Sequence, residues 1–122
     1  MKISILSEIL AVCRLPNDAA IPAWAVQSRF FSISRTADAL SIVCPFADVP
    51  EGTHCQPDWR GLKIAVPFAL TEILEQILEP LARRNIIVFA VSTFDADYIL
   101  VQCGKLEDAV RTLTETGYAV QR

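Results

Sequence analysis

Apolar and polar positions along the chain switch between a period of two and a period near four, and each switch marks an element. Residues 3–6 and 10–15 carry strand-like apolar spacing in two pieces, parted by Ser7 and Glu8. Pro16, Asn17 and Asp18 stop this run. Asp18 stands where a helix cap would, which predicts a short helix over residues 19–27 with Pro22 in its first turn and Trp24 as its anchor. Strand character returns over residues 29–44. Residues 45–58, with Pro45, Pro50, Gly52 and Pro57, read as a connecting loop.

Leu62, Ile64 and Val66 alternate with a period of two and predict a strand over residues 59–67. The helical period then takes over. Thr71 suits an N-cap, and Ile73, Leu74, Ile77, Leu78 and Leu81 fall on one stripe. Arg83, Arg84 and Asn85 suit the helix end, where cations meet the dipole and Asn accepts a left-handed conformation. Pro80 predicts a kink or break near residues 76–79, because an interior proline costs about 3 kcal/mol. A hairpin follows over residues 89–103, with two β-prone runs flanking Thr93, Phe94, Asp95 and Ala96. Leu106, Ala109, Val110 and Leu113 then predict a second helix over residues 105–116, capped by Gly117, before a short strand at residues 118–120.

Residues 61–122 thus read βαββαβ, the ferredoxin-like plan. Each helix has a single apolar stripe, so both belong on one face of an antiparallel sheet. Residues 1–60 follow the same plan with a proline-rich link where the second helix would stand. The expected fold class is α+β: two ferredoxin-like modules in tandem, residues 1–60 and 61–122, the first of them degenerate. A module of ~60 residues buries little surface alone, so the halves are expected to pack together.

The halves also look like an internal repeat. With one residue omitted, Phe31 falls on Phe89, Ser34 on Ser92, Ala37 on Ala96, Asp38 on Asp97 and Cys44 on Cys103. In this alignment Arg35 stands where the second tip has Thr93 and would repel an ammonium group.

Composition narrows the function. Of 122 residues, 52% are hydrophobic and 20% charged, as in a globular protein. A net charge of −3 with scattered Lys and Arg offers no footprint for nucleic acid or an anionic membrane. No apolar run approaches the ~18 residues of a membrane span, and Arg14 interrupts the stretch a signal peptide would need, so a cytoplasmic protein is expected. Cys13, Cys44, Cys55 and Cys103 lack the spacing of a zinc site or a redox Cys-x-x-C, and reduced thiols are expected. The one histidine, His54, lies with Cys55 in the link, and no glycine-rich phosphate loop is present. No catalytic residue, metal or cofactor is expected.

The chemistry gathers instead at the second hairpin tip. Asp95 and Asp97 beside Ser92 and Thr93 have more hydrogen-bonding capacity than a turn needs, which leaves a ligand site and an Asx-type turn as alternatives. A free amino acid could be met on each side: its carboxylate by backbone N–H groups at the helix start near residues 69–72, and its ammonium or guanidinium by Asp97. Thr93 would add a hydroxyl and Phe94 would cover an aliphatic stem or a cation. Asp95 reads as a turn former.

The stretch Asn-Ile-Ile-Val-Phe-Ala-Val-Ser-Thr-Phe-Asp-Ala-Asp-Tyr-Ile-Leu-Val at residues 85–101 resembles the hairpin signature of the tandem ACT-domain proteins related to the CASTOR arginine sensors. Residues 11–16 and 32–45 resemble first-module motifs of small bacterial members. The resemblance implies ACT-type modules and a non-catalytic regulatory or sensor role, with a free amino acid bound at the module interface. Residue by residue it implies Thr93, Phe94 and Asp97 as ligand contacts, with further contacts from the strand-to-helix loop at Phe68, Ala69, Leu70 and Thr71. That loop lacks the glycine often found there in the family. A homodimer is expected, and the alternative function is a ligand-free interaction or dimerisation module.

Overall fold

The computed structural model describes residues 2–65 and 71–122, with the backbone alone for residues 71–73. The chain divides into two compact units, one of Glu8–Trp59 and one joining the opening residues up to Ser7 with Arg60–Arg122. The opening residues, grouped by sequence with the first half, thus fall in the same unit as the second.

In the Glu8–Trp59 unit the strands are β1 (Lys2–Leu15, entering at Glu8), β2 (Ser32–Arg35), β3 (Leu40–Pro45) and β4 (Cys55–Ala65, leaving after Trp59), in the order β2-β3-β1-β4. β3 runs antiparallel to β1, from Leu10 opposite Pro45 to Leu15 opposite Leu40, and antiparallel to β2 in a hairpin. Every second residue turns to one face, where Ala11, Cys13, Leu40, Ile42 and Cys44 form a core with Ala25, joined by Leu15, Trp24, Ile33 and Cys55.

Three expectations change here. β1 is one strand from Lys2 to Leu15 rather than two pieces, because Ser7 and Glu8 interrupt the apolar pattern without interrupting the backbone. The helix expected over residues 19–27 shrinks to a 3-10 turn at Ala23–Val26, with Trp24 still packed on the core. Pro22 is the cause: its backbone is extended at φ −68°, ψ 148°, and a proline disfavours helix in the residue before it, so Asp18 has no helix to cap. Residues 55–58 are strand rather than loop, since the N–H of Arg14 donates to the carbonyl of His54 at 3.0 Å and the chain continues from there into β4.

The other unit continues from Arg60 of β4 through α1 (Thr71–Arg83), β5 (Val88–Ser92), β6 (Ala96–Gln102), α2 (Leu106–Thr116) and β7 (Ala119–Gln121). From β4 onward this is the expected βαββαβ order. The strands lie in the order β7-β1-β4-β6-β5. β7 pairs with the start of β1 in parallel, Lys2 opposite Ala119 and Ser4 opposite Gln121, so the sheet is not antiparallel throughout. Ile3, Leu62, Ile64, Ile99 and Val101 from the sheet meet Ile77 and Leu81 of α1 and Leu106, Ala109 and Leu113 of α2 in one cluster, which puts both helices on one face. Burial contributes roughly 1.5–3 kcal/mol for each large aliphatic side chain.

The helix ends follow their sequence signals. Asn85 takes a left-handed φ of 59°, while Ile86 donates to the Leu81 carbonyl and Asn85 to that of Ala82, each at 3.0 Å. Gly117, at φ 113°, closes α2 in the same way, with Tyr118 donating to Leu113 at 3.0 Å. α1 runs unbroken through Pro80, so of the kink or break expected near residues 76–79 the break does not occur. Pro80 falls in the last turn, where its missing N–H removes one bond beside an end already tied by the bonds of Asn85 and Ile86.

Candidate functional site

Each unit presents one hairpin tip, and the two are built alike. At the first, the Thr36 N–H donates to the Ala39 carbonyl at 3.0 Å, and the Thr36 hydroxyl accepts from the N–H groups of Asp38 at 3.1 Å and Ala39 at 3.3 Å. At the second, the Thr93 N–H and hydroxyl both donate to the Ala96 carbonyl at 2.9 Å, and the hydroxyl accepts from the Ala96 N–H at 3.2 Å. A threonine at this position closes the turn with its own side chain.

This geometry corrects the internal alignment. One gapless shift carries Thr36 onto Thr93, Asp38 onto Asp95 and Ala39 onto Ala96, so the repeated motif is Thr-x-Asp-Ala and no residue is omitted. The strand registers agree, because Arg35 faces Leu40 as Ser92 faces Asp97. The 3-10 turns that follow, Phe46–Asp48 and Cys103–Lys105, match under the same shift. Arg35 therefore corresponds to Ser92 rather than to Thr93, and Asp38 to Asp95 rather than to Asp97.

The tips differ in their surroundings. The first is tied down: Arg14 donates to the Asp38 carbonyl at 3.2 Å, Asn17 to the Ala37 carbonyl at 2.8 Å, and Arg35 to the carbonyls of Asn17 and Ala19, the latter at 2.7 Å. Arg35 is thus a structural clamp. At the second tip, neither the Asp95 nor the Asp97 carboxylate has a hydrogen bond or ion pair among the described residues. Asp97 is half-buried at the foot of the tip, and Phe94 is 70% exposed at its crest. The Thr93 hydroxyl already gives its proton to Ala96, which leaves one lone pair for a further partner.

The structure brings Thr93, Phe94 and Asp97 together on one tip. Phe68, Ala69 and Leu70 lie outside the described residues, as does the side chain of Thr71, whose backbone begins α1. Ser92, which the sequence named beside Thr93 but not as a ligand contact, lies directly opposite Asp97. His54 is exposed, and its carbonyl is used by Arg14. Among the described residues no group of His, Cys, Asp and Glu is placed to hold a metal ion, and no helix is long and apolar enough to cross a membrane.

A model of the ACT domain matches residues 54–115, just over half of the chain. The chain belongs to the ACT domain family. A second model, describing an N-terminal domain, matches residues 8–52. The human protein CASTOR3P is 29% identical to this ACT-domain chain over 101 residues, covering 70% of it and 62% of the human protein, so the chain spans about three fifths of that curated relative's length. A crystal structure of a protein from Agrobacterium tumefaciens is 39% identical, with a TM-score of 0.91 over 98% of this chain and 90% of that one. The regulatory subunit of aspartate kinase from Thermus thermophilus, solved ligand free, shares the fold at a TM-score of 0.64 over 93% of this chain and 97% of that one, with 10% identity.

Proposed function

We propose that this ACT-domain chain is a non-catalytic regulatory module that binds a free amino acid at the Thr93–Asp97 tip. The observation that carries the reading is the contrast between the tips: Arg14, Asn17 and Arg35 hold the first, while Asp95 and Asp97 of the second have no polar partner among the described residues. A half-buried carboxylate without a cation among the described residues is a place for an ammonium or guanidinium group, and Phe94 on the same tip could lend an aromatic face to the rest of the ligand. The likeness to CASTOR3P and to regulatory subunits of aspartate kinase supports a regulatory amino-acid binder.

The test is thermal melting against each common amino acid at millimolar concentration. At least one should raise the melting temperature, and a ligand at about 100 times its Kd would add about 2.7 kcal/mol. Asp97→Ala should remove the shift and keep the fold. If no amino acid shifts the wild type, the reading fails.

A second reading has its own observation. β5 is the last strand of its sheet, and Ile87 just before it is 73% exposed, which suits a ligand-free edge that pairs with another chain. Sedimentation of the wild type and of Ile87→Lys distinguishes it: a dimer lost in the variant, with no amino-acid shift in either, favours the interaction module.

A further inference from the structure

We propose that Cys13 and Cys55 form a reversible disulfide, an oxidant-responsive modification site in the Glu8–Trp59 unit. β1 lies between β3 and β4. Toward β3, Cys13 faces Ile42, which in turn faces Ile33 of β2. Toward β4, the backbone bond from Arg14 to His54 brings the neighbouring residues of the two strands together, and Cys55 packs on the cluster that contains Cys13. Ile33, Ile42, Cys13 and Cys55 therefore form a row across one face.

Cys44 is also in this cluster, but it faces Ala11 and so stands diagonally to Cys13. Residues directly opposite on neighbouring strands are about 4.5–5.5 Å apart, within disulfide range. Cys44 also reaches Cys13, as its hydrogen bond with that thiol shows, so solvent access rather than spacing singles out Cys55, the half-buried member of the three. The electrostatics agree that the three thiols interact: Cys13 is pushed well above the usual thiol range, chiefly by Cys44, then by burial, with Cys55 adding to it. Cys44 is correspondingly lowered by its hydrogen bond with Cys13.

Access sets the order of events. Cys13 and Cys44 are each 1% exposed, while Cys55 is half-buried and can be reached from solvent. A hydroperoxide supplies the oxidising equivalents. The Cys55 sulfur takes one peroxide oxygen as the O–O bond breaks, releasing water or an alcohol and leaving a sulfenic acid. The Cys13 sulfur then attacks the Cys55 sulfur, the S–O bond breaks, and the Cys13 proton leaves with the hydroxyl as water. Two thiols have given two electrons to the peroxide, and a dithiol reductant reverses the step.

The experiment treats the full chain with a slight excess of hydrogen peroxide, unfolds it, alkylates the remaining thiols and maps the peptides by mass spectrometry. All four cysteines are unbridged thiols in the structure, so the expected fall is from four alkylated thiols to two, with a Cys13–Cys55 peptide pair that dithiothreitol separates. The cross-link should persist in Cys44→Ser and Cys103→Ser and vanish in Cys55→Ser. Should Cys55→Ser not fold, the wild-type map decides alone. A cross-link to Cys44, a Cys55 recovered only as sulfinic or sulfonic acid, or four thiols surviving treatment would each overturn the assignment.

Discussion

Leu40 and Asp97 hold the same place in two hairpins, each directly opposite the residue that precedes the turn threonine, Arg35 in one and Ser92 in the other. Leu40 is fully buried, while Asp97 is half-buried with no polar partner among the described residues. One position thus serves a core in the first unit and carries a carboxylate in the second. Leu40→Asp places a carboxylate in an apolar cluster and should cost about 4 kcal/mol or more, measured by urea unfolding. Asp97→Leu should keep the melting temperature near that of the wild type and lose any amino-acid shift.

Thr93 closes its turn through its hydroxyl, and Ala96, whose N–H it accepts, is 2% exposed. Thr93→Val keeps the shape and strands that buried donor, which should destabilise the unit by about 1–3 kcal/mol in denaturant titration. Thr93→Ser retains the hydroxyl and should recover most of the loss.

The two left-handed helix ends should respond unequally. Gly117→Ala forces a Cβ into φ 113° and should cost about 1 kcal/mol or more. Asn85→Gly, at φ 59°, removes strain the asparagine already tolerates and should change stability little. Equilibrium unfolding of the two variants in parallel checks the pair.

Arg122 donates two hydrogen bonds of 2.7 Å to the carboxylate of Glu107, and holds that carboxyl below its ordinary value of 4.5. A carboxylate depressed in the folded state stabilises above its unfolded pKa and loses that contribution as pH falls through the folded value. Both groups are exposed, so the effect is modest and sensitive to salt. The melting temperature of Glu107→Gln should fall below that of the wild type at neutral pH and low salt. The gap should close once the pH drops well under 4.5.

Much of this was legible in the sequence because the signals are local. The apolar stripe of α1 was read from spacing alone, and its Ile77 and Leu81 are fully buried in the core. Asn85 and Gly117 announced their caps because few residues accept a positive φ. Pro22 carried a local signal too, but Asp18 outweighed it in the reading, and a helix was expected where one 3-10 turn forms. Of the candidate site, Asp97 and Phe94 stand out in the sequence as chemistry, whereas the hydroxyl of Thr93 is indistinguishable there from one waiting for a ligand, and only the structure shows it closing the turn.

What the sequence by itself determined is the succession of strands and helices, their buried faces and their ends, since each depends on residues a few positions apart. Tertiary structure alone decided pairing and register. An alternating strand looks the same after a shift of two, so matching letters aligned Asp38 with Asp97 until the turn bonds of Thr36 and Thr93 set the register. The opening residues, likewise, carry no local mark of their unit; it is the parallel pairing of Lys2 with Ala119, at the far end of the chain, that joins them to it.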